Sequence, residues 1–152
     1  MDHVNENLWR GPLLKDWAPL KAQGFEQIID LESGVYRTFH PQSDDPALYL
    51  TLGITDINIK LSPICIPRPH KVVRALSLIA NGLKTYLHCL LGVDRTGYVV
   101  AAYRMTVQHW DFEEAVDDMM DHGFHKYRYF YWVPSLFQYE VSDGREADET
   151  PN

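Results

Sequence analysis

Between residues 27 and 121 short apolar runs alternate with longer runs of helical period. Gln27–Leu31, Ile54–Lys60 and Lys84–His88 are too short for helices, rich in β-branched or aromatic residues, and bounded by glycine or polar turns. His70–Ala80, Thr96–Val107 and Phe112–Asp121 carry apolar residues at helical spacing, and Asn81-Gly82 and Gly123 close two of them. Strands separated by whole helices cannot pair as tight hairpins, so parallel pairing is the arrangement this order favours. The expected fold is α/β: a central, mostly parallel sheet of four to five strands flanked by helices. A strand and turn over Asn7–Leu14 precede this core, and Asp16 is placed to cap a short helix over Trp17–Ala22. Further helices are expected at Pro46–Leu52, after a polar loop over 35–45, and at Trp132–Val141.

The chain has 152 residues, with 45% hydrophobic and 23% charged. That is enough for one buried core, so residues 1–142 are read as a single domain and 143–152 as a flexible acidic tail. No apolar run approaches the ~20 residues that span a bilayer. The polar Met1–Arg10 lacks the apolar centre of a signal peptide, so the chain as it stands reads as cytoplasmic. A chain whose leader had been removed would read the same way. Net charge is −7, which argues against a nucleic-acid partner. Of the 21 acids, five lie in 140–152 and six in 111–121; the remaining ten face thirteen bases. The part of the chain able to hold a site is therefore mildly basic. Two cysteines make no disulfide framework and no metal-binding spacing, and neither metal nor organic cofactor is expected.

Chemistry concentrates in Tyr86-Leu-His-Cys-Leu-Leu-Gly-Val-Asp-Arg-Thr-Gly97. Cys-x5-Arg alone is a short pattern that chance supplies often. Its place is what makes it specific. It falls at the carboxyl end of a strand, where α/β sheets bind ligands, and it opens a helix whose free N–H groups attract anions. Gly92 and Gly97 allow turns that aim successive N–H groups inward. A thiolate at Cys89 is then favoured and can attack phosphorus. The backbone from Leu90 through Leu91, Gly92, Val93 and Asp94 to Arg95 would hold the phosphoryl oxygens, with the Arg95 guanidinium gripping two of them. Thr96 can hydrogen-bond the sulfur as it leaves the phosphocysteine, and His88 can brace the loop through its ring.

His-Cys-x5-Arg-Thr-Gly after a strand resembles the cysteine-dependent protein tyrosine phosphatase superfamily, which includes dual-specificity phosphatases and tyrosine-phosphatase-like phytases. Leu8-Trp-Arg-Gly11 and Gly24-Phe-Glu-Gln-Ile-Ile-Asp-Leu31 are similar to the opening of small bacterial and atypical dual-specificity members. Ala101-Ala-Tyr-Arg104 and Phe112-Glu-Glu-Ala115 resemble the two helices after their loop. The resemblance implies hydrolysis of phosphate monoesters through a phosphocysteine. It also implies a general-acid aspartate between the strand at 54–60 and the helix at 70–80, and here the chain departs from the pattern. No Asp or Glu occurs from Ile57 to His88. Asp94, inside the loop, is the preferred substitute; Asp56 and His70 are the alternatives.

Two substrates fit. An inositol polyphosphate, as for a phytase-like enzyme on inositol hexakisphosphate, is preferred to a phosphoprotein because Arg37, His40, Arg68 and Lys71 can line a basic rim. The polar segment His122–Arg128 can join that rim or serve as a solvated connector. A catalytically dead module that binds phosphate esters is the reading of another class. Cys65 can pair reversibly with Cys89 or be an ordinary thiol. The aromatic run Tyr127–Trp132 suits core packing or a weak dimer surface, so a monomer or weak dimer is expected.

Overall fold

The structure is a computed structural model that describes residues 1–33 and 53–141. Arg37, His40, the helix expected at Pro46–Leu52 and the acidic tail lie outside the described residues.

Every residue of Thr85–His88 (β5) is buried, because this strand has a neighbour on both sides and helices over both faces. Leu8–Gly11 (β2) and Gln27–Asp30 (β3) flank it in parallel, and Thr55–Asn58 (β4) pairs in parallel with β3. Asp2–Asn5 (β1) turns back antiparallel on β2, which gives the order β1-β2-β5-β3-β4. The sheet is therefore five-stranded and mostly parallel, as the alternation of elements implies. The register has a functional consequence. Gly11, His88, Asp30 and Asn58 share one row across the four parallel strands. The segments that follow them emerge at one edge of the sheet.

Successive strand residues point to opposite faces. Ile29 and Leu87 face the larger core, while Ile28 and Tyr86 face a smaller one with Trp17, Leu20, Phe25 and Ile54. Ala18–Ala22 (α1) covers the smaller side through Leu20. Pro69–Ile79 (α2), Arg95–Thr106 (α3), Phe112–Asp121 (α4) and Tyr129–Leu136 (α5) cover the larger. In α3 every residue from Arg95 to Met105 is buried: apolar residues occupy most sides, and Arg95, Thr96 and Arg104 are buried with them. In α4 the Asp111 carboxylate accepts from Glu114 N at 2.8 Å as the N-cap, and Ala115, Val116 and Met119 form the buried stripe. Glu113, Glu114, Asp117 and Asp121 are left in solvent. No helix among the described residues is long and apolar enough to cross a membrane.

Two element boundaries depart from expectation. β1 is polar apart from Val4 and is an edge strand, so hydrophobic alternation does not reveal it. The last helix starts at Tyr129 and ends at Leu136, followed by the 3-10 turn Phe137–Tyr139. The aromatic run is therefore helical: Trp132 is in the core, while Phe130 and Tyr127 are exposed.

Candidate active site

Cys89 is the first residue beyond β5 and is 2% exposed. Residues 90–94 bend away from the strand, and α3 starts at Arg95. Among the described residues, none of the backbone N–H groups from 90 to 95 donates to a backbone carbonyl. Such donors, together with the first turn of a twelve-residue helix, can serve as an anion cradle beside the sulfur.

The cradle is shaped from below. Gly92 has φ +77°, and a Cβ there would lie 2.3 Å from the Gly11 carbonyl carbon. Only glycine meets both the backbone angle and the close approach. Leu13 N donates to Leu90 O at 3.1 Å, and Arg10 Nη2 donates to Gly92 O at 3.1 Å. The Tyr86 hydroxyl donates to Pro12 O at 2.6 Å, which holds the turn after β2 against the loop. Burial pushes the Arg10 pKa down, and the charges of Asp118, Asp2 and Cys89 oppose that shift.

His88 is fully buried, with Nδ1 3.1 Å from Cys89 O. Its ring stacks on Tyr86 and lies 5.3 Å from Trp17. Asp30 Oδ1 is 3.8 Å from Nε2, and Glu32 Oε1 is 3.8 Å from Nδ1. Donor atoms of Asp30, Glu32 and His88 lie within 4.8 Å of one another, near enough to share a cation, but each of the three is already engaged by neighbours in the fold.

Arg95 is 5% exposed, and its Nη1 donates to Leu61 O at 3.3 Å, which swings the guanidinium toward the segment after β4. Thr96 is fully buried, and its Oγ1 has no hydrogen-bond partner among the described residues. Asp94 is 9% exposed and heavily engaged. Its Oδ1 accepts from His125 N at 2.9 Å; its Oδ2 lies 2.7 Å from His125 Nδ1 and accepts from Arg128 Nε at 2.8 Å. Burial opposes the Arg128 charge, but the hydrogen bond and charge of Asp94 outweigh it and raise the Arg128 pKa.

A cavity of about 180 Å³ opens over Cys89 and Arg95. The loop residues Leu90, Leu91, Val93 and Asp94 form one wall, and Pro63, His125, Tyr127 and Arg128 form the other. Ligand sites for drug-sized molecules run to roughly 300–1,000 Å³, so the described walls fit a phosphoryl group and the first atoms of its ester. The other candidate residues lie elsewhere. Asp56 sits two residues short of the carboxyl end of β4 and does not line this cavity. His70 and Lys71 line a separate depression with Lys60 and Arg74, and Lys71 Nζ donates to Lys60 O at 2.6 Å. Arg68 sits at the N-cap position of α2 without a side-chain capping bond and is not among the cavity walls. Cys65 is an exposed free thiol, and Cys89 is a buried one.

Sequence reasoning gives Arg10 no role, and it reaches His125 only as part of His122–Arg128, the segment read as rim or connector. The signal for Arg10 was an arginine in an apolar strand just before Gly-Pro. For His125 it was a histidine three residues before an arginine in a short connector, a pattern with no fixed meaning until the fold brings it to Asp94.

A strand-loop-helix thiol site at the carboxyl edge of a parallel sheet defines a cysteine-dependent phosphatase architecture. The model of the family described as DSP-PTPase phosphatase fused to NAD+ kinase matches residues 3–128, and the chain belongs to that family. It is 38% identical over 53 residues to the dual specificity protein phosphatase TpbA of Pseudomonas aeruginosa. That match spans 35% of this chain and 24% of the relative's length. The fold is similar to the core catalytic domain of the PP-IP phosphatase SIW14 from S. cerevisiae, crystallised with citrate: TM-score 0.71 at 17% identity over 99% of this chain and 93% of that one. The crystal structure of P. aeruginosa TpbA superposes with TM-score 0.68 at 18% identity over 97% of this chain and 88% of that one. At such identities the likeness is one of fold.

Proposed function

We propose that the chain hydrolyses phosphate monoesters through a phosphocysteine on Cys89. The observation that carries this reading is the buried thiol in a cavity that Arg95 also lines, followed by backbone N–H groups with no backbone acceptor among the described residues. The Cys89 thiolate attacks phosphorus, the S–P bond forms, and the ester oxygen leaves. The amides of Leu90 to Arg95 and the Arg95 guanidinium stabilise the charge on the equatorial oxygens. Water then attacks the phosphocysteine, and Thr96 supports the sulfur as it departs. His88 acts indirectly, by holding the Cys89 carbonyl. The leaving oxygen needs a proton, and the Asp94–His125 pair lines this cavity.

The described rim favours an aryl or peptidyl phosphate. Leu91 and Tyr127 are 61% and 65% exposed at the cavity edge, and Pro63 adds a further apolar wall. Arg128 is taken up by Asp94, and His70 and Lys71 lie in another depression. TpbA, which shares the fold, has been crystallised with phosphotyrosine. Inositol polyphosphate remains the second reading, supported by the likeness to SIW14, a PP-IP phosphatase, and by Arg37 and His40 in the segment outside the described residues. A binding module without turnover is the third.

The deciding experiment is phosphate release without added metal from a phosphotyrosine peptide, a phosphoserine peptide, inositol hexakisphosphate and an aryl phosphate. Cys89→Ser should abolish release while retaining substrate binding, and Arg95→Lys should lose most of both. Release from inositol hexakisphosphate alone would replace the aryl phosphate reading. Binding with no release by the wild-type protein would leave the binding module.

A further inference from the structure

A phenoxide or alkoxide expelled without a proton is a poor leaving group, and the segment 57–88 offers no carboxyl to supply one. The cavity walls present Asp94, His125, Tyr127 and the guanidinium of Arg128 as alternatives. Arginine does not release its proton in proteins. Asp94 is poorly arranged to donate one. Three N–H groups converge on its two oxygens, at 2.7, 2.8 and 2.9 Å, and an oxygen that carried a proton would have to give up at least one of them. It is also only 9% exposed.

His125 has the complementary arrangement. An ionised carboxylate only accepts, so the 2.7 Å contact puts the Nδ1 proton on the Asp94 side. Nε2 is then the ring atom left to act, and it has no hydrogen-bond partner among the described residues. The side chain is 39% exposed and stands in the wall of the Cys89 cavity. Its backbone N–H is bound to the same carboxylate, so the residue is held at two points and its ring cannot swing freely. Arg128, fixed over Trp132 and Tyr127, secures Asp94 from the other side.

Resting on the phosphatase reading, the geometry points to His125 as the general acid of this enzyme and to Asp94 as the residue that positions it. In the first step the imidazolium Nε2–H is given to the ester oxygen as the P–O bond breaks and the S–P bond forms. The ring is left neutral, with Nδ1–H still on Asp94. In the second step neutral Nε2 takes a proton from the attacking water, the P–O bond to that water forms, and the S–P bond breaks. Phosphate and the Cys89 thiolate are released, and the imidazolium is restored. Histidine suits both halves because its charge change ordinarily falls near physiological pH. The charged or titratable groups that face it are Asp94, Arg128, Arg95, Cys89 and Tyr127.

The test is a leaving-group series on the intact protein. General acids contribute about 10²–10⁴ in rate where the leaving group needs a proton. His125→Gln and His125→Ala should therefore lower kcat/KM for phenyl phosphate by about 10²–10⁴, and for para-nitrophenyl phosphate by about tenfold or less. Asp94→Asn should show the same dependence on leaving group with a smaller loss, because an amide holds the ring less firmly. Thermal melts of each variant separate folding from chemistry. Equal losses on both esters would make His125 a structural residue, and no loss on phenyl phosphate would move the proton to another group; either result overturns the assignment while leaving the hydrolase. A wild-type protein that, like Cys89→Ser, releases phosphate from neither ester overturns the hydrolase reading itself and this assignment with it.

Discussion

Arg10 Nη2 donates to the Gly92 carbonyl across 3.1 Å, so a buried cation on β2 holds the turn of the Cys89 loop from beneath. A hydrogen bond to a charged group contributes about 1.5–3 kcal/mol. Arg10→Met should lower stability by about that amount and weaken binding of orthovanadate, a phosphate mimic. Arg10→Lys, which keeps the charge but loses the planar reach, should recover only part of both. Urea melts and a vanadate titration read the two effects. Unchanged vanadate affinity in Arg10→Met would show that the loop holds its shape without this bond.

Two of the left-handed glycines, Gly92 and Gly24, separate backbone strain from steric conflict. Gly24 has φ +81° and open space where a Cβ would point, whereas at Gly92 a Cβ collides with Gly11 and Pro12 backbone. Gly24→Ala should lose about 1–2 kcal/mol of stability and keep its turnover. Gly92→Ala should lose that and also displace the loop from β2, removing most activity on any phosphate ester. Equal turnover in the two variants would contradict a cradle formed by close approach to Gly11.

The parallel core could be read from the chain because Gln27–Leu31 and Lys84–His88 are too short for helices, centre on Ile28-Ile29 and Tyr86-Leu87, and are separated by a segment of helical period; both strands are buried throughout. Helix α3 was legible because apolar residues occupy most of its sides, as burial on all sides favours. Cys89 and Arg95 were legible because their chemistry is local: strand, loop and helix N-terminus follow one another in sequence. Arg10 and His125 were not, because their roles exist only across separations of 82 and 31 residues. Asp94 shows the same limit. Its place in the loop was evident, but the three donors that occupy its oxygens come from the connector after α4. Pro134 and the dense aromatics blurred the start of α5, whose tertiary contacts through Trp132 and Leu136 outweigh local propensity.

Asp111 tests a contribution remote from the chemistry. Its side chain caps α4 by accepting from Glu114 N, and Glu140 Oε2 accepts from Phe112 N at 2.6 Å on the same helix end. Asp111→Ala should cost about 0.5–2 kcal/mol and Asp111→Asn clearly less, because Asn caps almost as well. Turnover at temperatures where both variants are folded should match wild type. A loss of turnover in the folded Asp111→Ala protein would mean that α4 and the connector holding His125 are more tightly coupled than their packing implies.

Alkaline stability should report on the prop beneath the active loop. Burial raises the Tyr86 pKa, and the charges of Cys89 and Asp2 push it the same way; burial also raises Tyr98 and Tyr139. In an unfolded chain tyrosine ionises near ~10. Above that pH the folded protein retains phenol protons that the unfolded chain has lost, so the free energy of unfolding falls as pH rises and is insensitive to these groups below it. Each such tyrosine adds at most about 1.4 kcal/mol per pH unit to the slope. Tyr86→Phe removes one of them and also the hydrogen bond to Pro12 O. At neutral pH it should therefore be less stable than wild type by about 1 kcal/mol. Above about pH 10 the gap should close and then reverse, since the phenylalanine has no proton to lose. Urea melts at neutral pH and at steps above pH 10 follow the difference directly. A gap that stays constant through that range would mean that the Tyr86 hydroxyl ionises in place, and that the turn after β2 is held by something other than its neutral phenol.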